Sequence, residues 1–94
     1  MSFAKQYPAV TKAILLLATD SGVINRFEGE DVLVHEVYKN LLGTVGDPVI
    51  RQAEIGLSLL SAEDLYIACC ADQLDVELSP ELSDFLDTVF LEML

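Results

Sequence analysis

The sequence predicts an all-α fold, a compact single-domain bundle of four to five short helices over residues 1–94. Three observations carry this. Apolar residues recur at three- and four-residue steps in five separate segments, which puts each set on one face of a helix. Two segments open with a capping residue followed by proline, Asp47-Pro48 and Ser79-Pro80, and proline loses no helical hydrogen bond at a first helical position. No two neighbouring runs alternate apolar and polar residues as paired strands do.

Phe3, Tyr7, Val10, Ile14 and Leu17 form the first stripe, broadened by Leu15 and Leu16. Pro8 suits a first turn and pushes Tyr7 toward extended backbone, so the firm helix is expected over Pro8–Thr19. Asp20-Ser21-Gly22 reads as a turn with Gly22 as a left-handed cap. Val23–Phe27 reads as a loop, because a single strand has no partner to pair with. The second helix runs from Glu30, with Leu33, Val34, Val37, Tyr38 and Leu41 inward, and is expected to stop at Gly43. Its early acids, Glu30 and Asp31, and its late Lys39 suit the helix dipole.

The third helix, Pro48–Leu60, places Val49, Ile50, Ala53, Leu57 and Leu60 on one side and Ile55 and Leu59 elsewhere. A helix apolar nearly all round is expected at the centre of a bundle. Gly56 in its middle costs up to ~1 kcal/mol relative to Ala and suggests a close approach by another backbone. Ser61-Ala62-Glu63-Asp64 resembles a capping box, with Asp64 where Glu is usual. It opens a fourth helix to Ala71 that buries Leu65, Ala68 and Cys69. Asp72–Leu78 is a connector. Ser79 then caps the last helix, whose core face is Leu82, Phe85, Leu86, Val89, Phe90 and Met93.

The apolar fraction is 52 %, against roughly 45–50 % with glycine included in ordinary domains. A small domain has little interior, so another chain is expected to cover part of this surface. A homo-oligomer, specifically a dimer, follows, with the contact on the third and last helices. The longest uninterrupted apolar run, Ala13–Ala18, falls far short of the ~20 residues of a membrane span. Lys5 and Lys12 precede that run, but Thr19 and Asp20 end it where a secretion signal needs a longer apolar region and a small-residue cleavage site. No membrane association and a cytoplasmic location are therefore expected.

Charge divides the chain. Residues 1–51 hold all five bases and six acids, for a net −1; residues 52–94 hold ten acids and no Lys or Arg, for −10. Such a surface repels nucleic acid and attracts basic protein surfaces. Solubilising an apolar helix pair is a structural reason for the same acids, and Glu63, Asp64 and Glu81 sit where helix starts favour acids.

No catalytic, nucleotide or metal motif stands in the sequence. GxxxxGK, GxGxxG and HExxH are absent. An EF-hand loop needs oxygen ligands at its third and fifth positions, and counting from Asp20 or Asp72 these are Gly22 and Ile24, or Leu74 and Val76. Cys69 and Cys70 are adjacent in a predicted helix, where side chains about 100° apart are poorly placed for a disulfide; Cys69 is expected in the core and Cys70 half-buried. His35 follows Asp31 by one turn, a spacing that supports a general base or, more simply, an exposed pair. No enzyme activity, cofactor or metal is expected.

What remains is surface. Glu81, Asp84, Asp87, Thr88 and Glu92 form the polar side of the last helix, with Leu91 set among them. An apolar residue rimmed by charge is how many interfaces are built, and a lone exposed leucine is also common. Tyr66 and Ile67, off the core face of the fourth helix, join the candidate contact set. The expected function is a non-catalytic acidic helical protein-interaction module that self-associates. Alternatives are a nucleic-acid mimic or inhibitor of a basic nucleic-acid-binding protein, and a small enzyme using His35 or a cysteine. In size, charge and helicity the chain resembles small phage and mobile-element proteins that bind host machinery. That resemblance implies a protein partner and rests on composition alone.

Overall fold

The computed structural model describes residues 3–70 and 77–94. Among these, six α-helices and one 3-10 turn make up the fold, with no strand: α1 (Phe3–Gln6), α2 (Pro8–Ser21), the 3-10 turn (Val23–Arg26), α3 (Glu30–Thr44), α4 (Asp47–Ser58), α5 (Ala62–Cys70) and α6 (Pro80–Met93). The all-α bundle is the one the sequence predicts. The expected end of the fourth helix at Ala71, connector residues 72–76 and the first two residues of the chain lie outside the described residues.

Proline sets the first boundary. Tyr7 takes φ −133° and ψ 67° ahead of Pro8, so the opening stripe divides into α1 and α2. At the other end of α2, Gly22 adopts φ +76° and its amide bonds to the Thr19 carbonyl. Val23–Phe27, expected as loop, is ordered into a 3-10 turn that buries Val23. Helix α3 passes through Gly43 and ends at Thr44; Gly46, two residues on, takes φ +85° and its amide bonds the Leu41 carbonyl. Gly43 stays helical because the left-handed conformation that closes the turn is supplied three residues later.

The expectation that the third helix is central is not met: α2 packs against every other helix. It buries Val10, Thr11, Ala13, Ile14, Leu17 and Ala18, an arc of about 160° at 100° per residue. Two alanines in that arc let neighbours approach from both sides. Helix α4 buries only Ile50, Ala53 and Leu57, an arc of about 60°. Among the described residues no helix covers the far side of α4, where Ile55 stays exposed.

Both expected serine caps are present. The Ser61 hydroxyl accepts the Asp64 amide at 3.1 Å, and the Ser79 hydroxyl accepts the Leu82 amide at 3.2 Å. Helix α5 buries Leu65, Ala68 and Cys69 as its spacing predicts. Helix α6 buries Leu82, Phe85, Leu86, Val89 and Met93. Phe90, placed on that face by the spacing, is 36 % exposed, because it lies about 40° beyond Leu86 at the edge of the buried arc.

The start of α2 is secured from a distance. Tyr7 at its N-cap supplies no side-chain bond, and Pro8 has no amide hydrogen to satisfy. The Glu54 carboxylate of α4 accepts the next two amides, Ala9 at 3.1 Å and Val10 at 2.9 Å. The Thr11 amide bonds the Tyr7 carbonyl, so no first-turn donor is left open. The buried Tyr38 hydroxyl also donates to the Tyr7 carbonyl at 3.2 Å. That commits its one proton, so the Thr11 hydroxyl is the donor in the 3.2 Å contact with the Tyr38 oxygen. The Phe3 ring stacks on Tyr38 with centroids 4.4 Å apart and planes 6° from parallel.

Candidate interaction surface

Helix α4 begins beneath the left-handed Gly46, with Asp47 in its first turn. Asp47 faces two ways: one oxygen accepts the Tyr7 hydroxyl at 2.6 Å and the other meets Arg51 Nε at 2.6 Å. These bonds, with Glu54 on α2, fix the helix against the bundle on one side. Its opposite side carries Ile55, 58 % exposed, and Leu59 at the C-cap, 82 % exposed. The two are one turn apart and share a face. The charged pair flanking them, Asp47 and Arg51, is internally neutralised.

A groove of about 570 Å³ separates α4 from the start of α6. Val49, Ala53, Gly56, Leu82 and Phe85 line it, and Glu81 stands at its edge. Gly56 faces the Leu82 side chain, not a neighbouring backbone as its position in the sequence suggests. An ideal Cβ on Gly56 would lie 3.5 Å from the Leu82 methyls, an ordinary contact.

The predicted surface residues do not form one patch. Asp84, Asp87 and Leu91 lie together on the outer face of α6, within an arc of about 60°, and Leu91 is 67 % exposed. Glu81 is exposed at the groove edge. Glu92 is half-buried and engaged, its carboxylate accepting the Thr44 hydroxyl of α3 at 2.9 Å. Tyr66 is exposed beside α2, in a hollow with Lys12, Leu15, Leu16, Thr19, Asp20 and Cys70. Ile67 is half-buried. Sequence reasoning placed a self-contact on this helix and the last without naming its residues, and read the helix's all-round apolarity as centrality. At the edge of a small bundle the same apolarity leaves Ile55 and Leu59 uncovered.

The nucleophilic candidates sit in packing environments. Burial pushes the Cys69 thiol up to about 12. Burial also raises Cys70, helped by nearby Asp20, and its thiol donates to the Leu16 carbonyl at 3.4 Å. Both are held as thiols, and the thiolate is the form that attacks or ligates metal. His35 is exposed, with its ring 6.2 Å from Phe3, and borders a hollow with Glu30 and Asp31. Burial raises the Tyr38 phenol as well, opposed by its bond from Thr11.

Among the described residues no three of His, Cys, Asp and Glu are grouped as metal ligands, and no helix is long and apolar enough to cross a membrane. No protein-family model, curated protein or solved structure matches this chain.

Proposed function

We propose that this chain is a non-catalytic protein-interaction module that self-associates through the outer face of α4. The observation that supports this most is Ile55 and Leu59, two large apolar side chains one turn apart on a helix that buries only three residues. An isologous contact of two such faces covers all four side chains at once. It also brings no bare like charge into the centre of the interface, because Arg51 pairs with Asp47. Both cysteines are free thiols, which suits a reducing cytoplasmic setting. The ten acids without a base beyond residue 51 support a second role, inhibition of a basic, nucleic-acid-binding protein. Sedimentation equilibrium of the chain and of an Ile55→Ser/Leu59→Ser variant tests self-association.

A further inference from the structure

The groove between α4 and α6 differs chemically from the outer face of α4. Its surface is mostly apolar, with Gln52, Ser79 and Glu81 as the polar residues of its lining, and Gly56 adds no side chain to it. Its volume of about 570 Å³ lies in the range of roughly 300–1,000 Å³ typical of binding clefts. On the α4 side the polar group is uncharged Gln52. Arg51 lies about 140° round the helix from Gly56 and is paired with Asp47. On the α6 side stands Glu81, exposed at the groove edge. Among the described residues no Lys or Arg lines the groove, and residues 52–94, which supply most of its walls, hold ten acids and no base. A cationic occupant complements that charge and covers the apolar floor.

We infer that this groove docks a basic amphipathic helix of a partner protein. Its apolar side chains, spaced three and four apart, enter between Val49 and Leu82, and a Lys or Arg side chain reaches Glu81. The inference rests on the chain being an interaction module and not on its self-association.

The test is titration of isotope-labelled protein with a peptide of Leu and Lys, about four turns long, with all Leu on one helical face. Two controls accompany it: a peptide of the same composition with Leu spread round the helix, and one with Glu in place of Lys. Expected are amide shift changes centred on Val49, Gly56 and Leu82, and binding at least about tenfold weaker for both controls. Glu81→Lys and Val49→Lys should each weaken binding by about tenfold. Both sites are exposed, and if Val49→Lys loses its fold by circular dichroism, Glu81→Lys decides. The inference is overturned if the spread-Leu peptide binds as tightly, if the shift changes centre on α2 and α5, or if Glu81→Lys leaves affinity unchanged. Ile55→Ser/Leu59→Ser should keep peptide binding. Lost self-association with peptide bound removes only the dimer, and a persistent dimer with no peptide binding removes only the groove.

Discussion

The Glu54 carboxylate on α4 accepts the Val10 amide on α2 at 2.9 Å, joining residues 44 positions apart as cap and helix. The same carboxylate takes the Ala9 amide at 3.1 Å. A side chain of one helix thus performs for another the task that Ser79 performs for α6 within its own turn. The negative charge also meets the positive end of the α2 dipole. Because α2 is the helix against which every other packs, the edge helix α4 contributes to the bundle through this contact as much as through its three buried residues.

Glu54→Ala should therefore lower stability by about 1–2 kcal/mol, the cost of losing a helix cap. The melting temperature should fall by roughly 4–8 °C for each kcal/mol in a domain of this size. Glu54→Gln offers one acceptor oxygen to two amides and no charge, so it should fall between Ala and wild type. Thermal and urea unfolding measure both; an Ala variant as stable as wild type would show that the cap contributes nothing.

The local signals read true and the distant ones did not show. Ser79-Pro80 and Ser61 announced their helices because a cap and its amides lie within three residues of one another. The inward faces of α3 and α5 were legible for the same reason: a face is a local periodicity. Which helix occupies the centre is not a local property. Helix α4 carries apolar residues all round, yet α2, with Ala13 and Ala18 in its buried arc, is the one that accepts neighbours from both sides. Glu54 looked like any acid on a wet face. One hint was present: Tyr7 cannot cap a helix, so α2 began with two amides lacking a local acceptor. The candidate surface was half legible: Leu91, Asp84 and Asp87 are exposed as their spacing implied, while the apolarity of α4 suggested a central helix and left Ile55 and Leu59 unnamed as its open face.

Gly56→Ala should raise stability by up to about 1 kcal/mol, because Ala favours the interior of α4. The added methyl meets Leu82 at 3.5 Å without a clash. A thermal melt detects the gain. A loss would mean that Leu82 cannot tolerate the contact.

Alkaline pH should weaken the fold through Cys69. Its folded value of about 12 exceeds its ordinary value of 9.0, so the folded chain keeps a proton that the unfolded chain releases. Stability from this group is full below about pH 9 and is lost as pH rises toward about 12. Urea unfolding across that window should show a decline that Cys69→Ala reduces. An unchanged slope in the variant would place the loss elsewhere, Tyr38 being the next group whose phenol burial raises.

Leu91→Asp should change stability by no more than about 0.5 kcal/mol, as exposed substitutions usually do. If the outer face of α6 takes part in a contact, the variant loses that contact with its melting temperature intact. Co-sedimentation beside a melt separates the two effects.

The most direct measurement of the central claim is sedimentation equilibrium at micromolar concentration in about 0.15 M salt, where repulsion beyond ~8 Å is screened. The wild-type chain should sediment at twice its 10.3 kDa mass, and Ile55→Ser/Leu59→Ser at the monomer mass with an unchanged circular dichroism spectrum. A wild-type monomer across the concentration range, or a dimer that survives the double substitution, would contradict self-association through α4.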